Sequence, residues 1–313
     1  MLNLEMMRFI TERALSRPEV LRWHKRIRER YTPPEDIKLT VLLPCSAKKP
    51  YSKSKSHMLF KRYIKRGAKN KISRVHEVSL TSPLGLVPRE LENVYPAAHY
   101  DIPVTGHWTE EEKSIVAELL TNYTDKTNAK IIAHVDGPYL EICDELGIPS
   151  TGGEIYSETS LKNLEQRISE TLKDCQPSKI DRKLERIKKI CDFQFGLGAS
   201  KYFEKVHVRG NAIYFKEKRA ATINPATGFL ALTLLGGELL HRYGKYLVEI
   251  SFQPKTDSIF SIGVDRADHQ IRPNDEVIVL FENEVVGVGR AILNGEEMEK
   301  SARGLAIKLR HRK

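Results

Sequence analysis

Apolar positions recur along this chain in two rhythms, and the change of rhythm marks its organisation. In residues 1–36 Trp23, Ile27 and Tyr31 fall every four positions, which predicts a helix, and Pro33-Pro34 ends it. Leu39-Thr40-Val41-Leu42-Leu43 predicts a strand. From about Ser56 to Lys69, Leu59, Phe60, Tyr63 and Ile64 share one helical face, and Lys61, Arg62, Lys65 and Arg66 share the other. Val75 to Leu80 and Lys130 to Val135 read as further strands, the second apolar enough to be buried on both faces. Helices are expected at 109–122, 138–146 and 158–175. Alternating strands and helices predict that residues 37–180 form an α/β domain, an open and mostly parallel sheet with helices on both faces.

Around Cys175-Gln176-Pro177-Ser178 the rhythm changes. A charged helix over 181–190 opens a small α+β connecting domain, residues 181–244. Five short strands then follow: Tyr246–Phe252, Ile259–Val264, Glu276–Phe281, Val285–Leu293 and Leu305–Arg310. Turn residues punctuate them, and residues 245–313 are expected to form a small β-barrel. There is no internal repeat and no low-complexity tract.

Length and composition fit this division. The 313 residues call for two or three domains, and 40% hydrophobic content suffices for their cores. Net charge is +10 and the pI is about 9.3, with the excess spread over both halves. That suits a polyanionic partner, either nucleic acid or an anionic membrane surface. No apolar stretch approaches the roughly 20 residues that span a bilayer. The N-terminus, Met1-Leu2-Asn3-Leu4-Glu5, lacks a signal peptide's apolar core. Cys45, Cys143, Cys175 and Cys191 form no Cys-x-x-Cys pair and have no histidine at metal spacing. Free thiols in a reducing, cytoplasmic compartment are expected, with no metal and no cofactor.

Charge is most uneven between Ile37 and His76, where twelve Lys or Arg stand without one carboxylate. Surfaces normally mix both signs, so Lys48, Lys61, Arg62, Lys65 and Arg66 are candidate RNA contacts. The plainer reading is a solvated helix face. Within this run Cys45 follows the first strand. It is either a small apolar filler or a thiolate nucleophile favoured by Lys48, Lys49 and His57. His57 either decorates the start of the helix or exchanges protons with Cys45 or a substrate nitrogen. Lys49, Tyr51 and Ser54 either fix turn geometry or contact phosphate and base. In open α/β sheets ligands bind beyond the carboxyl ends of the strands. Cys45, then Ser82 and Gly85, then Asp136 all fall there, so Ser82, Gly85 and Asp136 are candidate substrate contacts. The loop Tyr95 to Trp108 adds Asp101 and His107, with Tyr95, Tyr100 and Trp108 available for base stacking. Asp101 and Asp136 suit a base edge or an amine. In the last segment Arg266, Arg272, Lys308 and Arg310 are candidate phosphate contacts, together with the basic tail His311-Arg312-Lys313.

These residues carry a resemblance. Pro44, Cys45, Lys49, Pro50, Tyr51, Ser54 and His57 fill every fixed position of PC-x3-KPY-x2-S-x2-H, a motif of archaeosine synthase, a relative of the tRNA-guanine transglycosylases. Ser82 to Glu92 and Tyr95 to Trp108 resemble the same family. Residues 192–240 look like the domain that precedes PUA in this superfamily, and Ile271 to Val277, Val286 to Ala291 and Arg303 to Lys308 resemble a PUA domain. The resemblance implies a tRNA-modifying transferase. It adds the side-chain amine of free lysine to the nitrile of 7-cyano-7-deazaguanosine in the tRNA D-arm, with glutamine as the alternative donor. A radical-SAM enzyme takes the following step. The resemblance implies Cys45, His57, Lys49, Tyr51 and Ser54 as catalytic residues. Typical members carry a large transglycosylase-like module before this region. Its lack here implies either a compact form that suffices alone or one half of a split enzyme, with residues 1–36 as a docking surface or a plain cap. A homodimer and a split-module partner are both open. The alternative function is a non-catalytic tRNA-binding subunit of such a complex, and a base-releasing glycosylase is a third.

Overall fold

The apolar run after Pro33-Pro34 becomes the inner strand of a sheet. β1 (Leu39–Pro44) is buried at every residue. It pairs in parallel with β2 (Val75–Thr81), and β3 (Gly85–Pro88) adds antiparallel to the far side of β2. β4 (Lys130–Ala133) pairs in parallel on the other side of β1, so the order is β3-β2-β1-β4. The computed structural model describes residues 14–100 and 108–313, which fall into two compact units divided between Lys189 and Ile190.

A strand shows successive side chains to opposite faces, and β1 uses both. Leu39, Val41 and Leu43 join one apolar cluster with Phe60, Ile64 and Ala68 of α2 (Lys55–Ala68) and Leu161, Leu164 and Ile168 of α5 (Glu158–Thr171). Toward the opposite face, Thr40 Oγ1 lies 2.9 Å from the hydroxyl of Tyr123 on α3 (Glu110–Thr124). The indole of Trp23 on α1 (Pro18–Arg30) donates to the Leu86 carbonyl at 3.1 Å. Helices therefore cover both faces. The stripe Trp23, Ile27 and Tyr31, spaced every four positions, is buried within this unit, which makes α1 part of its core. Residues 1–13 of the expected N-terminal helix lie outside the described residues. α4 (Gly137–Glu145) follows β4, with Pro138 in its first turn.

The edge strand β3 is a feature the periodicity does not announce. It is four residues long and ends in Pro88, which an edge strand tolerates because no ladder donor is needed there. α6 (Arg182–Phe195) carries the chain from the first unit into the second.

In the second unit β5 (Val206–Arg209), β6 (Ala212–Phe215), β7 (Lys218–Ile223) and β8 (Leu230–Leu232) form an antiparallel meander followed by α7 (Leu234–Leu240). A six-stranded mixed sheet follows. Its strands are β9 (Leu247–Ile250), β10 (Ser258–Phe260), β11 (Val264–Ala267), β12 (Glu276–Phe281), β13 (Glu284–Ala291) and β14 (Leu305–Arg312), in the order β10-β14-β13-β12-β9-β11. α8 (Gly295–Lys300) is inserted before β14. The expected strand Ile259–Val264 is two strands. A tight turn at Ser261–Gly263 sends β10 and β11 to opposite edges of the sheet. No helix among the described residues is long and apolar enough to cross a membrane.

The α2–α5 crossing is close enough to require glycine. A Cβ at Gly67 would stand 2.4 Å from the Glu165 carbonyl oxygen and 3.0 Å from Ile168 Cβ. Gly67→Ala is expected to destabilise the first unit by about 1–3 kcal/mol, because backbone has to move. Urea unfolding checks this, and an unchanged midpoint would contradict the packing described.

Candidate active site

The carboxyl end of β1 delivers Cys45, and the surrounding elements determine what the thiol meets. Pro44, just before it, is buried, and its carbonyl oxygen accepts a hydrogen bond from His57 Nε2 at 2.9 Å. That bond puts the ring proton on Nε2 and leaves Nδ1 as an acceptor, which lies 3.3 Å from an Arg89 guanidinium nitrogen. Burial and then the Arg89 charge lower the His57 pKa to about 4, so the ring is neutral near pH 7. Ser54 is the N-cap of α2, its Oγ accepting from the His57 backbone N–H at 3.2 Å. His57 also stacks on Tyr51, with ring centroids 5.1 Å apart.

Cys45 is half-buried, and its Sγ lies 2.9 Å from the Tyr139 hydroxyl. Burial and then the Cys45 sulfur push the Tyr139 pKa upward, so the phenol keeps its proton. Trp108 packs edge-on against Tyr139, centroids 4.6 Å apart. Tyr51 is buried, and its hydroxyl bonds that of Tyr100, which in turn bonds Thr81 Oγ1. The Lys49 ammonium lies 4.2 Å from the centre of the Tyr100 ring. Asp136 is the residue before α4 and makes no side-chain cap bond. Burial and then the charge of Glu154 raise its carboxyl pKa. Tyr156 is 57% exposed and stacks on Phe60, and partial burial and then the charge of Asp136 raise its pKa.

Cys45, Lys49, Tyr51, Ser54 and His57 are thus brought into one loop and the first turn of one helix. Tyr51, Ser54 and His57 are buried there in holding contacts, and Cys45 and Lys49 are the more accessible of the five. Ser82 donates to Glu112, and Gly85 (φ +73) turns the chain where a Cβ would meet Leu119 at 2.5 Å. Both therefore have structural work. Asp101 and His107 lie outside the described residues. Tyr100 is buried and hydrogen-bonded, which withdraws it from base stacking. Tyr139 and Tyr156 are absent from the expected set, although Tyr139 directly follows Asp136-Gly137-Pro138.

Of the basic candidates, Lys48, Arg62, Lys65 and Arg66 are exposed and Lys61 is half-buried. Arg266, Arg272 and Lys308 are exposed in the second unit. Arg310 is different. Its guanidinium forms a bidentate pair with buried Glu276 at 2.6 and 2.9 Å, and Glu276 also accepts from the Leu232 N–H at 2.8 Å. That guanidinium ties β14 to β12 and β8, so it is a poor phosphate contact.

Family models place these parts. Residues 20–168 match a domain of unknown function (DUF5591), 185–246 the patch-forming domain C2 of tRNA-guanine transglycosylase, and 254–313 the PUA domain. The chain is 40% identical over 322 residues to the archaeosine synthase subunit alpha of Thermococcus kodakarensis, covering 97% of this chain and 56% of the relative. It is 44% identical over 322 residues to that of Methanosarcina acetivorans, covering 96% and 51%. The chain spans about half the length of the curated relatives it matches. The crystal structure of AF0587, a protein of unknown function, superposes with a TM-score of 0.70 at 30% identity, covering 93% of this chain and 98% of that one.

Two measurements test this geometry. The folded His57 resists protonation, so its contribution to stability is full above about pH 6.5 and is lost as pH falls toward 4. His57→Gln is expected to reduce the loss of unfolding free energy between pH 7 and 5 by about 2 kcal/mol in urea titrations. Arg310→Ala is expected to destabilise by about 1–3 kcal/mol, since it removes the partner of the buried Glu276 carboxylate from a pair that is itself part-exposed. Arg266→Ala should stay within about 0.5 kcal/mol. Equal thermal melts for the two variants would mean that the Arg310 pair is not structural.

Proposed function

The chain is a homologue of the archaeosine synthases along nearly its whole length, and from that kinship we propose that it modifies tRNA by adding the side-chain amine of lysine to the nitrile of 7-cyano-7-deazaguanosine. One observation carries the reading. Within a complete family motif, the Cys45 thiol stands at the carboxyl end of the sheet, 2.9 Å from a protonated phenol.

A nitrile carbon is electrophilic, and the chemistry balances in two steps. The Cys45 thiol adds across the C≡N bond. A C–S bond forms, one π bond breaks, and the thiol proton ends on the nitrile nitrogen, giving a thioimidate. The lysine amine then adds to the same carbon. The C–S bond breaks, a proton returns to the sulfur, and a lysine amidine remains on the base. The Tyr139 hydroxyl donates to the sulfur when it carries negative charge. Asp136, with Glu154 nearby, presents carboxylate to the lysine ammonium. Trp108 and Tyr156 offer ring faces to the base. Lys48, Lys61, Arg62, Lys65 and Arg66 hold phosphates from one unit, and Arg266, Arg272 and Lys308 from the other. In this reading His57 and Ser54 hold the loop, a role supported by the His57 bond to the Pro44 carbonyl and the Ser54 cap on the His57 N–H.

Three relatives are named as subunits, so the assay is run with the chain alone and with the radical-SAM enzyme of the following step supplied. Nitrile-bearing tRNA is incubated with isotopically labelled lysine and analysed by mass spectrometry. The expected result is a gain of one lysine on the deazaguanosine, reduced on the order of a hundredfold or more in both Cys45→Ala and Cys45→Ser. Near-normal turnover by both variants would exclude covalent catalysis. Retained tRNA binding without any lysine gain would make the chain a delivery subunit instead.

A further inference from the structure

We propose that Arg89 is a positioning residue that fixes Cys45 opposite the Tyr139 hydroxyl by holding both stems of the Cys45 loop through one guanidinium. This rests on the reading of Cys45 as the reacting thiol.

The sequence creates the need. No carboxylate occurs from Ile37 to His76, so the loop has no anionic acceptor of its own. The carboxylates come from outside it, from Glu77 on β2 and Glu92 beyond β3, and Arg89 joins them. One terminal nitrogen bonds Glu92 Oε2 at 2.7 Å, and the other bonds Glu77 Oε2 and faces His57 Nδ1 at 3.3 Å. Glu92 Oε2 also accepts the Ser52 backbone N–H at 2.9 Å, on the far stem of the loop. His57 Nε2 holds the Pro44 carbonyl at 2.9 Å, on the near stem. The path from Pro44 through His57, Arg89 and Glu92 to Ser52 brackets Cys45, Lys49 and Tyr51.

The group is poorly hydrated, which makes its geometry count. The side chains of Arg89, Glu77 and Glu92 are only 20%, 11% and 7% exposed. Three partners at fixed angles suit a planar fork, and a lysine ammonium in the same place is a single point that cannot hold all three. The thiol's contact with Tyr139 runs between residues 94 apart in sequence, so it survives only while the loop is held. Release of either stem separates the sulfur from the phenol that stabilises its anion.

The test reads the thiol directly and needs neither tRNA nor lysine. Full-length Arg89→Gln, Tyr139→Phe and the double variant are alkylated with iodoacetamide near neutral pH, with Cys45 followed by peptide mass spectrometry and Cys175 as internal control. Arg89→Gln and Tyr139→Phe are each expected to slow alkylation of Cys45 relative to Cys175 by roughly tenfold. The double variant should go no further than either alone. In the transfer assay Arg89→Gln should lower kcat with little change in KM for tRNA. A wild-type rate in folded Arg89→Gln, or additive slowing in the double variant, would overturn the proposal. If Arg89→Gln does not fold, Arg89→Lys replaces it. The same slowing is expected, and a wild-type rate there also overturns the proposal. Slowed alkylation in the variants of a chain that transfers no lysine leaves this inference standing and removes the proposed function alone.

Discussion

The carbonyl oxygen of Pro44 emerges from a strand that is buried on both faces, and a buried carbonyl without a donor costs about 1–3 kcal/mol. The donor has to come from a neighbouring element, and it is His57 of α2. That one bond dictates much of what surrounds it. α2 has to begin where its first turn places an imidazole under the strand end, and Ser54 sets that start by capping the His57 N–H. The donor nitrogen must carry the proton, so the other nitrogen has to accept, and Arg89 faces it. A buried guanidinium in turn demands carboxylates, which Glu77 and Glu92 provide. The spacing between Cys45, Ser54 and His57 is therefore a record of geometry as much as of chemistry.

Much of this scaffold was legible in the sequence. The apolar run Leu39-Thr40-Val41-Leu42-Leu43 indicated a strand, and that strand presents Leu39, Val41 and Leu43 to one helical layer and Thr40 to the other. The apolar face Phe60–Ile64 and the strand Glu276–Phe281 also lie where periodicity put them. What failed to show were contacts with no periodic signature. Tyr139 meets Cys45 across 94 residues, and Tyr51 meets Tyr100 across 49. Nothing local in either segment encodes such a pairing. The break at Ser261–Gly263 was masked by Ile259, Phe260, Ile262 and Val264 around it, although Gly263 is a local signal of a break, and the close approach of Phe252 to Gly263 is tertiary.

Residue type alone leaves two roles open. A histidine near a cysteine and an arginine near a basic tail both suggest chemistry at a surface, and the fold gives the first a buried setting and the second a buried partner. His57 loses its affinity for protons once desolvated beside Arg89, and Arg310 is held against a buried Glu276. The exposed cations of α2, Arg62, Lys65 and Arg66, remain suited to phosphate because they stand on the face opposite Phe60 and Ile64. The charge run thus holds solvated cations able to meet a polyanion, while Arg74 within it pairs with Asp36 just outside it.

The same desolvation bears on how protons move under the proposed chemistry. Addition of a thiol to a nitrile needs a proton at nitrogen, and a histidine with a pKa of about 4 is not charged near neutral pH to give one. The Tyr139 phenol is likewise a poor source of a free proton, since burial holds it in the protonated form. It can still donate a hydrogen bond to sulfur and stabilise the anion without giving the proton up. The proton that ends on the nitrile nitrogen is then the thiol's own, passed within the site rather than drawn from an imidazolium. Such a mechanism depends less on acid strength than on holding sulfur, phenol and nitrile in register. A rigid loop clamped at both stems by one guanidinium supplies that register.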